Sequence, residues 1–323
     1  MMTTILALEL IPDGEAEHWG GKATNLGKLM RIGVGVPPGF CIGATALDRA
    51  ITEAGIDREI GSIASSLNYE DFADVETKSR CIRELIEQIA IPPDIEEGIR
   101  TSYNALVSES NRYVAVRSSV AVRGTLISSF PGMMDTYHYV LGQDEVIEKV
   151  RECWASLWSA RAVHLRHHRS IPHTQAIIAP VVQLMVNADS AGVLFTANPI
   201  TKDRSECIIE ANWGIGESVV SGRSMTDSFV LDKGTCREKQ RAIAAKNLMV
   251  VMDDGQGRGR KEIPVPADRM KEPSLSGDKL IELCEAGRRI EEHFDAPVDV
   301  EWAYQHGKLF ILQARNIRNL ETP

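Results

Sequence analysis

At 323 residues, with 43% hydrophobic and 25% charged side chains, the chain is long enough for one large two-lobed domain or two ordinary ones, and its composition excludes disordered and fibrous classes. A formal net charge of −9 excludes whole-surface attraction to nucleic acid or an anionic membrane, so any phosphate binding must be local. Six scattered cysteines (Cys41, Cys81, Cys153, Cys207, Cys236 and Cys284) without a CxxC pair, no basic leader at residues 1–10 and no run of membrane-spanning length predict reduced thiols in a cytoplasmic chain.

After a strand-like opening, Gly20-Gly21-Lys22 leads into helical spacing over 23–30, with Leu26, Leu29 and Met30 on one side. Residues 33–39, with Pro37-Pro38, read as a turn or extended segment, and about 44–110 as several amphipathic helices forming a helical cap. Strand character begins at 113–116 and closes at Arg117, followed by a small-residue, glycine-containing loop up to Thr136. The spacing predicts one helix over 146–168, with Val150, Trp154, Leu157, Trp158 and Ala162 as its apolar stripe. The second half is sheet-rich, with strands over 177–186, 192–196 and 207–211 and a turn at Gly214-Ile215-Gly216. A helix over 278–294 precedes two final strands, 298–304 and 308–315.

Those final strands carry the most chemistry. The period of two puts Asp299 and Glu301 on one face, with Val298, Val300, Trp302 and Tyr304 on the other. A three-residue loop, Gln305-His306-Gly307, pairs Tyr304 with Lys308, Glu301 with Ile311 and Asp299 with Gln313, which aligns Asp299, Glu301, Gln313 and Arg315. A two-residue loop is expected to break that grouping. Two carboxylates, an amide oxygen and a guanidinium suit a magnesium triphosphate, and they equally suit a solvated outer face.

Lys22 follows two glycines and precedes a helix, an arrangement that lets backbone approach phosphate while the ammonium neutralises it. It is not a Walker P-loop, since Ala16 stands where a glycine is needed, and alone it reads as a surface lysine. Arg117 with Ser118-Ser119 places a cation and two hydroxyls at a strand end; alone, it is an ordinary strand-end arginine. Ser129-Phe130-Pro131-Gly132-Met133-Met134-Asp135-Thr136 combines a sharp turn with donors, as in a phosphate-covering loop or a plain surface turn. His164 and His168 have zinc-ligand spacing, but without a third ligand and among Arg161, Arg166 and Arg169 the segment reads as a solvated helix end.

Together these segments resemble the N-terminal ATP-binding domain of the phosphoenolpyruvate synthase and pyruvate phosphate dikinase family, nearly from end to end. The resemblance lies in Gly20-Gly21-Lys22, Gly35-Val36-Pro37-Pro38-Gly39-Phe40, Val116-Arg117-Ser118-Ser119 and Pro131-Gly132-Met133-Met134-Asp135-Thr136. It continues in Gly192-Val193-Leu194-Phe195-Thr196 with Asn198-Pro199, Glu210-Ala211-Asn212-Trp213-Gly214-Ile215-Gly216-Glu217, and Asp299-Val300-Glu301-Trp302 with Leu312-Gln313-Ala314-Arg315. The order of the segments, more than any one of them, makes it specific.

The resemblance implies an α+β ATP-grasp fold, two lobes (1–182 and 183–323) closing on ATP, with the helical cap in the first. It implies that Lys22 and Arg117 bind phosphates, that the loop with Gly132, Met133 and Thr136 covers them, and that Gln183 and Met185 flank adenine. Glu301 and Gln313 are then the Mg2+ ligands, Arg315 meets the terminal phosphates, and Asp299 is a further nucleotide contact. Lys22, Arg117 and Arg315 are the implied catalytic cations.

The family also implies a phospho-histidine domain and an acceptor domain, which these residues do not include, and Val120-Ala121-Val122-Arg123-Gly124 replaces a segment that many synthases make acidic. The resulting expectation is the ATP-binding subunit of a split dikinase that phosphorylates a histidine on a partner subunit, with a phenol or cresol as the small-molecule acceptor there and no nucleic-acid or membrane partner. Phosphoenolpyruvate synthase, rifamycin phosphotransferase, a stand-alone ATP-grasp ligase and a nucleotide-sensing regulatory subunit are the alternatives.

Overall fold

The structure is a computed structural model and describes residues 4–125, 134–253, 255–317 and 320. Two compact units make up the chain: Met1–Lys28 with Pro38–Met185, and Leu29–Pro37 with Val186–Pro323. Both mix helices with antiparallel sheet, which gives an α+β fold.

The first unit contains β1 (Ile5–Ala7), most of α1 (Ala16–Arg31), β2 (Gly39–Ile42), α2 (Thr45–Ala54), α3 (Asp57–Ser65), α4 (Phe72–Gln88) and α5 (Pro93–Leu106). It continues with β3 (Tyr113–Val122), β4 (Thr136–Leu141), α6 (Gln143–Ser156), α7 (Ala160–His168) and β5 (Ala176–Leu184). Helices α2 to α5 form the cap that the periodicity predicts. Asp71 starts α4 by accepting hydrogen bonds from the Ala73 and Asp74 amides, and Pro93 starts α5 at a position where a missing N–H is harmless.

The sheet runs β1-β2-β5-β3-β4. On one face Phe40, Ile42, Val114, Val116, Val120, Val122, Ile178 and Val182 join Ile82, Ile86, Ile99 and Trp154 of the helices in a single core. Alternation sends Arg117, Ser119 and Gln183 to the opposite face.

Two sequence expectations need correcting here. Arg117 does not close its strand: β3 continues to Val122, because Val120 and Val122 extend the buried alternation and Ser119 finds partners for its hydroxyl. The predicted helix over 146–168 is two helices, since Ser159 adopts an extended conformation and caps α7 by accepting from the Ala162 amide.

The end of α7 exposes His167, His168 and Arg169, as a solvated helix end does, but not Arg166. Arg166 is 1% exposed, donates from Nε to His173 Nδ1 at 2.8 Å and from Nη1 to the Leu157 carbonyl at 2.7 Å, while His173 Nε2 lies 2.7 Å from the Tyr69 hydroxyl. His167 stacks on Tyr69 and His164 on Phe72.

The second unit contains β6 (Ser190–Phe195), β7 (Glu206–Trp213), α8 (Glu217–Val220), β8 (Asp227–Asp232), β9 (Glu238–Ala242), β10 (Leu248–Met252), β11 (Arg260–Pro264), α9 (Gly277–Phe294), β12 (Val298–Gln305) and β13 (Lys308–Asn316). Its main sheet runs β13-β12-β6-β7-β8-β9, with β10 and β11 as a separate ribbon. Val298, Val300, Trp302 and Tyr304 are fully buried on the α9 side, where the Tyr304 hydroxyl donates to Glu282 at 2.7 Å. A side chain at Gly287 would meet Leu194 Cδ2 at 2.6 Å, so α9 lies close on the sheet at that point. The buried pair Lys246–Asp227, 2.6 Å, ties the approach to β10 to the start of β8, and Asp227 also accepts from the amide and hydroxyl of Ser274.

The final hairpin differs from its predicted register in an instructive way. Its turn has two residues, His306 (φ 50°) and Gly307 (φ 77°), and pairs Gln305 with Lys308 and Tyr304 with Leu309. Alone, that turn would send the two polar sets to opposite faces. The register then shifts between Glu301 and Trp302, leaving Leu312 as an extra residue, so that Glu301 faces Gln313 and Asp299 faces Arg315. The grouping exists through a bulge, not through a three-residue loop.

Candidate functional site

In the first unit, the polar face of the sheet holds Arg117 on β3 and Gln183 on β5, paired diagonally. Arg117 is 9% exposed and donates from Nη1 to Gln183 Oε1 at 3.3 Å. Thr136 opens β4 directly opposite Arg117. Met185, just past β5, has both backbone groups engaged: its amide donates to the Tyr113 carbonyl at 2.9 Å and its carbonyl accepts from Asn111 Nδ2 at 3.3 Å. Gly132 and Met133 lie outside the described residues.

Lys22 is half-buried in α1, two residues past a kink at Gly20 (φ 72°, ψ 163°). A Cβ at Gly20 would stand 2.4 Å from the Ser119 carbonyl carbon, so only glycine fits where α1 presses on β3.

In the second unit, Asp299 and Glu301 on β12 oppose Arg315 and Gln313 on β13. Arg315 donates to Asp299 Oδ2 from Nε at 2.8 Å and from Nη2 at 2.6 Å. Burial raises the Asp299 carboxyl above its ordinary value; Arg315 pulls it down and Glu301 pushes it further up. Asp299 therefore orients Arg315, while Glu301 and Gln313 bring one carboxylate and one amide oxygen together. Such hard oxygen donors suit a divalent cation that also carries phosphate oxygens.

The same face continues onto β6, where Phe195 pairs with Asp299 and Val193 with Glu301. Beyond them Ala191 and Ala303 pack with Val186, Phe310 and Leu312, so apolar surface adjoins the charged quartet. A separate cavity of about 260 Å³, lined by Asn187, Asp189, Met249, Val251 and Arg269 among others, contains none of the predicted residues. Among the described residues no group of three or more His, Cys, Asp or Glu has metal-site geometry, and no helix is long and apolar enough to cross a membrane.

The structure thus brings together Arg117 with Gln183 in one unit and Asp299, Glu301, Gln313 and Arg315 in the other. One participant escapes sequence reasoning, Asn111, which binds the Met185 carbonyl from 74 residues away; Ser119 is singled out in the sequence only as a hydroxyl beside Arg117, and its contact with α1, 96 residues away, is not foreseen. Asn111 has no sequence signal, and the contact of Ser119 has only its place two residues beyond Arg117.

A profile of the pyruvate phosphate dikinase AMP/ATP-binding domain matches residues 16–322. A probable phosphoenolpyruvate synthase of Pyrococcus horikoshii is 36% identical over 94% of this chain and 42% of its own length. One of Methanocaldococcus jannaschii is 38% identical over 99% of this chain and 27% of its own. The rifampicin phosphotransferase of Bacillus subtilis is 33% identical over 99% of this chain and 36% of its own. The chain therefore spans less than half the length of each of these relatives.

Proposed function

Because the chain belongs to the pyruvate phosphate dikinase AMP/ATP-binding domain family, an ATP-grasp-like domain of ATP-dependent phosphotransferases, we propose that it carries out the ATP half of a two-stage phosphoryl transfer. A phosphorus–oxygen bond of ATP breaks and a phosphorus–nitrogen bond forms on a histidine outside these 323 residues, from which the group passes to a small acceptor. The observation that carries this reading is the bulge-aligned quartet Asp299, Glu301, Gln313 and Arg315.

In this reading Lys22, Arg117 and Arg315 bind phosphates, and Thr136 at the start of β4, with Gly132 and Met133, supplies further phosphate contacts. Gln183 and Met185 bound the adenine. The carboxylate and amide of Glu301 and Gln313 fit Mg2+ by donor type, and the ion would neutralise phosphate charge. Asp299 holds the Arg315 fork in place by the ion pair described above. The protein's contribution is positioning and charge neutralisation, with no covalent intermediate on this chain.

For the final acceptor, the names of the relatives favour formation of phosphoenolpyruvate, with rifampicin phosphorylation as the second reading. A phenol or cresol acceptor has no support among these relatives and is a third arm of the same assay. The histidine-bearing partner is identified by incubating the protein with radiolabelled Mg-ATP and each neighbouring gene product. Acid-labile, base-stable label on a partner histidine is expected. Label on this chain alone contradicts the relay, and acceptor-dependent ADP formation with no partner contradicts it in favour of a stand-alone ligase. Lys22→Ala or Glu301→Ala that spares turnover while partner binding is intact leaves a regulatory subunit as the answer.

A further inference from the structure

We propose that Ser119 is a positioning residue for phosphate binding, its hydroxyl inserted into the backbone of α1 to set the direction of Lys22. This rests on the assignment of Lys22 to phosphate. In an unbroken α-helix the Ala23 amide would donate to the carbonyl four residues earlier, that of Trp19. Here the two are bridged by one side chain from another element: the Ala23 amide donates to Ser119 Oγ at 3.0 Å, and Ser119 Oγ donates to the Trp19 carbonyl at 2.8 Å. A hydroxyl suits this place because its single proton serves Trp19 while a lone pair serves Ala23. Such an insertion is a recognised cause of helix kinks.

Three further observations fit the same device. Gly20, between the two bridged residues, has the left-handed φ of 72° that the break requires, and its missing Cβ admits the Ser119 backbone. Thr24 donates to the Gly20 carbonyl at 2.9 Å, so the kinked peptide is held from the other side as well. Ser119 is fully buried, which removes it from any direct role with solvent or substrate.

The consequence for function is geometric. The kink starts a fresh helical segment at Gly21, with its own N-terminal amides and with Lys22 as its second residue. Ser119 lies on the same strand and the same face as Arg117, two residues along. A phosphate-binding lysine is thereby referenced to the strand that carries a phosphate-binding arginine. Without the hydroxyl, the Trp19 carbonyl and Ala23 amide must either close on each other, straightening α1, or leave the buried Ala23 amide without its acceptor and the Trp19 carbonyl with the weak Cys41 thiol donor at 3.7 Å. Each outcome re-aims Lys22.

The test compares wild type, Ser119→Ala, Lys22→Ala and the double variant by calorimetric titration of the full chain with Mg-ATP, tripolyphosphate and adenosine. Ser119→Ala is expected to weaken ATP and tripolyphosphate about tenfold, the scale of one mispositioned hydrogen-bonded contact, and adenosine less than about twofold. In the Lys22→Ala background the same substitution is expected to change ATP binding less than about twofold, since coupled residues are not additive. Equal weakening of ATP and adenosine, an unchanged ATP affinity, or a full repeat of the loss in the Lys22→Ala background overturns the proposal. Lys22→Ala with wild-type ATP affinity overturns the functional reading of Lys22 itself. Should Ser119→Ala fail to fold, Ser119→Cys, with a weaker hydrogen-bonding group of similar size, takes its place in the same comparison with the same deciding outcomes.

Discussion

At the scale of single residues, the oxygen ligands and the buried titratable groups respond differently to substitution. Glu301→Ala removes the carboxylate of the proposed cation pair and is expected to lower turnover by roughly 100-fold or more, as loss of one preorganised charge-stabilising group does elsewhere. ATP affinity measured in EDTA should change little, and an equal loss with and without metal would contradict the role. His173 gives a pH signature independent of nucleotide. Arginine only donates, so the Nδ1 atom facing Arg166 must be the bare nitrogen, and Nε2–H is left to donate to Tyr69.

Burial first, then Arg166 and His167, push the His173 pKa down to about 4. Above pH ~6.5 the imidazole is neutral in both folded and unfolded chains; between ~6.5 and 4 only the unfolded chain takes up the proton, so stability falls as pH falls. The loss, up to about 2–3 kcal/mol for a shift of this size, is read by urea titration at pH 7 and pH 4.5. His173→Gln keeps an acceptor for Arg166 and a donor for Tyr69 without a titrating group, and should flatten that slope; an unchanged slope removes His173 as its source. Residue type alone marked Asp299, Glu301, Gln313 and Arg315 as chemically special. It could not show that Arg166 is buried, because an arginine among histidines at a helix end has the composition of a solvated face.

At the scale of elements, the last hairpin shows what periodicity can and cannot supply. Alternation along β12 assigns Asp299 and Glu301 to one face from composition alone. The partner strand's register depended on a bulge, and nothing in Leu312 as an amino acid distinguishes an extra residue from a paired one. Deleting Leu312 removes the extra residue and makes Gln313 follow Ile311 directly, so Gln313 stays opposite Glu301 and Arg315 opposite Asp299 in a hairpin without a bulge, and Mg-ATP binding should be retained. Leu312→Ala keeps the residue count and should retain binding, at a stability cost of about 2 kcal/mol or less for a half-buried side chain. Loss of Mg-ATP binding by a folded deletion variant would contradict the register argument.

The kink in α1 was half legible: the glycine pair announced special backbone, but Gly20's contact with β3, about 100 residues away, is a tertiary fact. Gly20→Ala combines a left-handed φ with backbone overlap at Ser119 and should destabilise the protein by about 3 kcal/mol or more, seen as a large fall in urea midpoint. A midpoint within experimental error of wild type would mean that α1 does not press on β3 as described. The break between α6 and α7 was missed because the apolar stripe runs straight through it, and a mid-pattern serine gives only a weak cap signal.

At the scale of the whole molecule, a net charge of −9 leaves phosphate binding to a few placed cations, and those named here are interior or half-buried groups on sheets and a kinked helix. Family membership was legible because many short segments keep their order, whereas the final acceptor was not, since relatives that match nearly the whole chain are named for different reactions. Stability also depends on buried charge remote from those residues. Lys246→Met leaves Asp227 without its cation at full burial, and about 3–5 kcal/mol should be lost from unfolding free energy without change in ATP affinity. A loss of affinity at equal folded fraction would instead tie that pair to nucleotide binding.

The most direct measurement is titration of the protein with ATP, with and without Mg2+, for wild type and Glu301→Ala. Saturable binding by wild type, strengthened by Mg2+, with the strengthening absent in Glu301→Ala, is the predicted result. Absence of ATP binding by folded wild type, or the same Mg2+ dependence in both proteins, would contradict the account.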